Sequence, residues 1–254
     1  MRFAPSRAVQ THMRAAVITL HLTFAFSAAA TAQQPPPPPK PREGKAEFAL
    51  VSTSGNASSQ SIGLAAQVTF RPPKWVIDGQ TAFVRNEAED VVNAKSFALR
   101  GRAARELTPR LQAYGQHAYL RDIFSGVENR NYTDGGLSFL VIGTARHTLY
   151  ADAGLGYLNE QRTVGDDLST ATGSTGARYK LKLSETSDIA EELLSSFDFS
   201  DEGTWRLFQS LALTAKVAAP LSLKISNVIR YVDEPVFGFE QTDTITSAAL
   251  VLSF

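Results

Sequence analysis

Over most of the chain beyond residue 45, apolar and polar side chains alternate with a period of two. Ile62, Leu64, Ala66, Val68 and Phe70 interleave with Ser61, Gly63, Ala65, Gln67 and Thr69. Leu149, Ala151, Ala153, Leu155 and Tyr157 interleave with Thr148, Tyr150, Asp152, Gly154 and Gly156, and Ala177, Tyr179, Leu181 and Leu183 with Arg178, Lys180 and Lys182. Leu221, Leu223, Ile225, Ile229 and Tyr231 continue the pattern, with Asn227 the exception. Such alternation predicts strands with one apolar and one polar face. Twelve are expected, near residues 46–53, 58–70, 75–86, 93–105, 109–121, 133–143, 146–160, 171–183, 187–198, 204–217, 220–232 and 242–254.

Soluble sandwiches and membrane barrels both carry this pattern, so the connections must separate them. Tight turns are expected near 71–74, 106–108, 144–145, 184–186 and 218–220. Longer polar segments, NEAEDVV, DIFSGVENRNY, QRTVGDDLST and DEPVFGFEQ, alternate with them, and TSGNASS and FSDEG fill the same series. Short turns on one side and long loops on the other are the habit of an up-and-down transmembrane β-barrel. Sharing roughly 210 residues among twelve strands leaves about 17 each, enough for a 9–11-residue span and its connection.

The two ends of the chain bear on this reading. Arg2, Arg7 and Arg14 precede an apolar stretch over residues 15–30, and Ala30, Thr31 and Ala32 supply a small-residue exit. Residues 1–32 therefore read as a secretory signal peptide. Thr19, His21, Thr23 and Ser27 make the stretch a poor permanent membrane helix. Residues 33–44, QQPPPPPKPREG, hold six of the twelve prolines and read as a stiff disordered spacer, so the barrel domain is expected over 45–254. At the other end Leu250, Leu252 and Phe254 share one face of the last strand. A terminal aromatic on an apolar stripe is the expected signal to the barrel-assembly machinery, and the same strand must close the sheet, since hydrocarbon tolerates no open edge. Trp75, Trp205, Tyr157 and Tyr231 fall near strand ends, where an aromatic girdle would sit.

Charge and composition narrow the function. Lys plus Arg and Asp plus Glu are equal at 25, which excludes a basic nucleic-acid binder, and Cys is absent, which excludes disulfide scaffolds and thiolate metal centres. Arg100, Arg102, Arg178, Lys180, Lys182, Arg206, Lys216, Lys224 and Arg230 have the parity opposite the apolar stripe. A charge facing lipid at mid-membrane costs about 2–4 kcal/mol, so these nine belong in the lumen. There they either pair with groups such as Asp78 and Asp152 as a plug or line an anion-preferring pore. The crowding of nine long cations favours a narrow or packed lumen.

The segments GNASSQSIGLAAQVTF (55–70), LTPRLQAYGQHAYLRDIFSGVENR (107–130), RHTLYADAGLGYLNEQR (146–162) and QTDTITSAALVLSF (241–254) resemble an uncharacterised family of salt-induced outer-membrane β-barrel proteins. The resemblance extends from about Phe48 to Phe254. It implies a Gram-negative outer-membrane barrel among lipids and lipopolysaccharide, with no catalytic residue to carry over and no cofactor. The glycine pairs Gly135/Gly136 and Gly154/Gly156 fit its pattern, as places of backbone approach or bending.

Candidate chemistry is sparse. Beyond residue 32 the histidines are His117 and His147. His117 with Asp122, and with Ser125 or a serine on a neighbouring strand, permits the sketch of a lipid hydrolase, but no placed nucleophile marks it. Residues 198–203 have oxygen ligands at alternate positions and a glycine at the sixth, yet Gln209 stands where a calcium loop needs a bidentate Glu. Sixteen of the 25 acidic residues fall in or beside the long loops, Asp122, Asp134, Glu160, Asp198 and Asp243 among them, which suggests diffuse cation binding at an outer rim. Asn56 and Asn131 match glycosylation acceptors, a frequent chance pattern. Three functions follow: a structural or stress-related barrel without catalysis, a narrow channel for small anionic solutes, and a lipid-modifying enzyme.

Overall fold

The computed structural model describes residues 40–53, 59–88, 91–199 and 204–254. The expected signal peptide over residues 1–32, most of the expected spacer, the first loop with Asn56, residues 89–90 and the loop at 200–203 lie outside them. The chain divides into two units, Met1–Gln34 and Pro35–Phe254, of which the second carries the fold. Twelve strands follow one another: β1 (Arg42–Thr53), β2 (Ser59–Phe70), β3 (Trp75–Ala88), β4 (Val91–Thr108), β5 (Leu111–Asp122), β6 (Val127–Gly143), β7 (His147–Arg162), β8 (Leu168–Lys182), β9 (Ser187–Asp198), β10 (Trp205–Ala218), β11 (Leu221–Val232) and β12 (Thr242–Ser253). Each pairs antiparallel with its chain neighbours, and β1 meets β12, so the sheet is a closed up-and-down barrel.

The ladders fix which way each side chain points. Phe48, Leu64 and Phe83 oppose one another on the outer face, while Gln67, Gln80, Arg100 and Ala118 follow one another across β2 to β5 on the inner face. Exposed Leu50, Val68, Leu99, Leu155, Ile225 and Leu252 are all on the outer side. The inside is the polar side: the largest side chains that are fully buried are Glu160, Thr172 and Ser138. A protein built this way has its hydrophobic surface outside, matched to hydrocarbon, and its ionic groups within.

Two expectations need correction. The spacer ends earlier than expected, because β1 begins at Arg42. Arg42 pairs with Phe70, Arg71 N–H donates to Pro41 O at 2.8 Å, and the Arg71 guanidinium reaches Glu43 at 3.2 Å. The backbone of β2 needs these partners, and a Pro-rich, charged sequence gives no sign of it. The long loops are also shorter than their polarity predicts. β3 and β4 run to Ala88 and from Val91, β6 starts at Val127, and β7 and β8 reach Arg162 and Leu168. The polar segments thus extend the walls. Connections at the end carrying both termini are two to four residues, and those at the other end two to nine. We call these the turn end and the loop end.

The closing seam is the exception to continuous pairing. β1 and β12 share four ladder pairs, from Lys45↔Ser253 to Phe48↔Leu250, against eleven to fifteen at each of the other eleven seams. Leu250 and Leu252 face outward, and the Phe254 ring covers Gly44, where any Cβ would collide with it. Paired backbone bonds between Gly44 and Phe254, 2.8 and 3.0 Å, tie the terminus to β1.

Candidate functional site in the barrel lumen

The inward face of β4 places Arg100, Arg102, Ala104 and Glu106 in a row, and the register carries that row onto the inner faces of its neighbours. Arg100 reaches away from its own wall. Its Nη1 and Nη2 donate to the two carboxylate oxygens of Glu192 on β9, at 2.6 and 3.0 Å. β4 and β9 are five strands apart in a ring of twelve, so this bidentate pair crosses the lumen. Arg230 on β11 donates to Asp122 on β5 at 3.2 Å, joining strands that stand opposite each other in the ring. Two separate levels of the lumen are therefore bridged from wall to wall.

Shorter pairs fill in around them. Asp152 sits between two guanidinium groups, Arg102 at 3.2 Å and Arg178 at 3.1 Å, and Arg178 also donates to Ser138 at 3.0 Å. Lys224 reaches Glu47 at 2.8 Å. Near the loop end Glu160 holds Arg130 at 2.5 Å and Arg162 at 2.9 Å, and Arg206 donates to Asp198 at 3.3 Å. Lys180 lies 3.7 Å from Asp188 at a half-exposed site. Lys182 and Lys216 are exposed near the turn end and take part in no ion pair among the described residues. Seven of the nine singled-out cations thus have a carboxylate partner. Asp78, a suggested partner, instead accepts from Gln67, Thr69 and Gln80.

The acidic residues assigned to an outer rim require correction. Asp122, Asp134, Glu160, Asp198 and Asp243 stand on strands, and the ladders give their side chains the parity of the lumen. Asp134 and Glu160 are buried. Asp122, Glu160 and Asp198 pair with arginines, and Asp134 accepts from the Tyr114 and Ser174 hydroxyls, which sequence polarity alone does not reveal. Among the described residues no three of Asp, Glu, His or Cys gather to hold a metal ion.

Beside Arg102 lies a packed knot that the sequence reading missed. Its guanidinium stacks 3.7 Å from the centre of the Tyr114 ring. The Tyr114 hydroxyl donates to Asp134 at 3.1 Å, and Ser174 donates to the same carboxylate oxygen at 3.2 Å. Gly154 makes room: a Cβ there would come within 2.7 Å of the Tyr114 hydroxyl and 2.8 Å of Gly135 O. Gly154 thus clears space for an aromatic side chain lying against the inner wall, while Gly136 and Gly156 permit the close backbone approach expected of them, to Ala153 O and Thr133 O.

The hydrolase sketch does not assemble. His117 is on the outer face, its Nδ1 within 2.7 Å of Thr133 Oγ1. Asp122 faces the lumen and holds Arg230, and Ser125, in a short 3-10 turn, donates to Asp122 O. His147 bonds the Tyr179 hydroxyl at 2.7 Å near the turn end. Of the four girdle aromatics, Trp205 and Tyr231 pack together at 4.8 Å between ring centres at the loop end. Trp75 opens β3 at the turn end, and Tyr157 is exposed on the outer face of β7.

Between the Arg230–Asp122 level and the Arg100–Glu192 and Lys224–Glu47 pairs lies a cavity of about 460 Å³. Its walls come mainly from the small and apolar inward residues of β1 to β5 and β10 to β12, such as Ala65, Ala82, Ala98, Leu120, Val228 and Ile245. Arg100, Arg130, Arg206, Lys224 and Arg230 also line it, against one lining carboxylate, Glu47.

The chain belongs to the family described as "Protein of unknown function, DUF481", which it matches over residues 46–254. No curated protein matches it in sequence. Among solved structures, an outer-membrane channel of Pseudomonas putida F1 is 8% identical, with a TM-score of 0.50 over 89% of this chain and all of that one. The translocator domain of the autotransporter NalP from Neisseria meningitidis is 12% identical, with a TM-score of 0.48 over 97% of this chain and 96% of that one. The NanC porin is 9% identical, with a TM-score of 0.46 over 84% and 97%. At a TM-score of 0.50 the likeness to the Pseudomonas putida protein is one of fold, that of an outer-membrane barrel.

Proposed function

We propose that the protein is exported by residues 1–32 and stands in the bacterial outer membrane as a non-catalytic barrel whose lumen is held shut by ion pairs. Its role is structural and stress-related, in keeping with its resemblance to the salt-induced family. Residues 33–41 act as the periplasmic spacer. Leu250, Leu252 and Phe254 present the final strand to the assembly machinery, and the outer surface contacts phospholipid and lipopolysaccharide.

The observation that carries this reading is the pair of wall-to-wall bridges, Arg100–Glu192 and Arg230–Asp122. Each joins charged groups from distant strands, so a solute moving along the axis would have to break both. Planar-bilayer recording of the purified barrel is the test. The wild type is expected to show no stable conductance steps, and the variant lacking both bridges, Arg230→Ala, Asp122→Ala, Arg100→Ala and Glu192→Ala together, to introduce them. Steady ohmic steps from the wild type would overturn the reading. They would favour a narrow channel for small anions, a second reading supported by the five cations that line the chamber. Anion over cation selectivity in the same recording separates that channel from a non-selective leak.

A further inference from the structure

We propose that the lumen chamber is a binding site for a single-chain amphiphile with an anionic head, loaded sideways from the bilayer through the unpaired half of the β1–β12 seam. The inference rests on the barrel standing in a membrane and goes beyond the closed lumen.

The chamber has the composition of such a site. Its volume, about 460 Å³, falls within the rough 300–1,000 Å³ range of small-molecule pockets. The apolar wall from β2 to β5 suits a hydrocarbon chain, and a porin lumen has no use for it. Each of the five lining cations already holds a carboxylate, so the choice of an anionic head group rests on Arg206, whose guanidinium edge is left unfilled. Arg206 supplies an unpartnered contact, its two free nitrogens shielded from solvent so that a ligand reaches them only as the side chain shifts. It is buried at 8% exposure, and its Nη1 is engaged by Asp198, but its Nε and Nη2 have no hydrogen-bond partner. Those two nitrogens form the side-on fork that a carboxylate takes up with two parallel bonds. A buried guanidinium edge left unsatisfied is costly unless something fills it.

The seam supplies the entrance. Pairing between β1 and β12 stops at Phe48↔Leu250, and residues 49–53 make no ladder pair with β12 among the described residues. Continued at the same register, Ala49 would meet Ala249 and Leu50 would meet Ala248. Those lips line the chamber: Ala49 from β1, and Ile245, Ser247 and Ala249 from β12. Unpaired backbone facing hydrocarbon is strongly disfavoured except where it borders a cavity. In this proposal the unpaired lips, at the end of the seam opposite the Phe254–Gly44 tie, part to admit the ligand from the bilayer.

Binding is measured with the whole mature protein in nanodiscs of zwitterionic lipid, using sodium dodecanoate as the probe. Dodecanol tests the chain without the charge, and acetate the charge without the chain. Saturable binding of about one dodecanoate per barrel is expected, with neither control competing at the same concentration. Arg206→Gln should weaken it by about tenfold or more. Arg206→Lys should recover part of the loss, and Ala98→Phe, which fills the chamber, should abolish it. Heat-modifiable migration on gels identifies folded variants. The oxidised Leu50→Cys, Ala248→Cys pair should slow entry at least tenfold, restored on reduction. Dodecanoate uptake equal to that of empty nanodiscs, or unaffected by both Arg206→Gln and Ala98→Phe in folded protein, overturns the site. Unchanged entry with the seam locked, or cross-linking of Leu50→Cys between two barrels, overturns the side entrance. A folded barrel that neither conducts nor binds would refute this inference and leave the closed-lumen reading intact.

Discussion

Breaking the Arg100–Glu192 bridge from one side tests whether cross-lumen pairs hold this barrel together. Arg100→Met removes the cation and leaves Glu192 three-quarters buried with two unpaired oxygens. Stranding one member of a fully buried pair costs about 3–5 kcal/mol. The side chains here are 20% and 25% exposed, so some of that is recovered by water, and about 2–3 kcal/mol is expected. Replacing both, Arg100→Met with Glu192→Leu, removes the stranded charge and should return stability to within about 1 kcal/mol of wild type. Glu192→Leu alone strands Arg100 at a similar cost, so the coupling energy is about 3–5 kcal/mol. Arg85–Glu87 is the matched control, a pair on the outer face at 43% and 31% exposure, where about 0–1 kcal/mol is expected. The assay is urea unfolding from phosphatidylcholine vesicles, followed by the fluorescence of the two tryptophans. A coupling energy for Arg100–Glu192 no larger than that for Arg85–Glu87 would refute the reasoning, because the bridge would then be an ordinary surface contact.

Other consequences are as specific. Gly154→Val drives side-chain atoms into the Tyr114 hydroxyl and the Gly135 carbonyl, so folding yield should fall severalfold, while Ala153→Val on the outer face should fold normally. Gly44→Leu displaces the Phe254 ring from β1, and both it and Phe254→Ala should slow membrane assembly, read as the fraction of heat-modifiable protein over time. His117→Ala should leave lipid A and phospholipid profiles unchanged on overexpression, because His117 stands with Thr133 on the outer wall while Asp122 faces the lumen and holds Arg230. A change in those profiles would revive the enzymatic reading.

The strands were legible because lipid outside and charge inside impose a strict period of two, as in Ala177 to Leu183. The parity of Arg100, Arg178 and Lys224 could be read the same way, since a lipid-facing arginine is too costly. Their partners could not. Glu192 follows Glu191, and nothing local says that one faces Arg100 while the other accepts from Gln209 on the outer face. Asp122 and Glu160 read as loop acids because the segments around them are polar, yet polarity serves equally well for a barrel wall that rises beyond the hydrocarbon. Pairings that depend on the closure of twelve strands, such as Asp122 with Arg230, lie 108 positions apart in sequence and leave no local trace. The interrupted seam was hidden for the same reason: β1 and β12 both show the full strand pattern, and only their register tells how far they zip.

The central claim is that opposite walls meet inside the barrel, and the absence of native cysteine allows it to be tested directly. Asp122→Cys and Arg230→Cys place the sole two thiols on β5 and β11, facing each other across the lumen. Treatment of the folded protein in membranes with a short bis-maleimide should link them within one chain, giving a faster-migrating species after denaturation. Modification of both thiols without an intrachain link, in protein shown to be folded, would contradict the account.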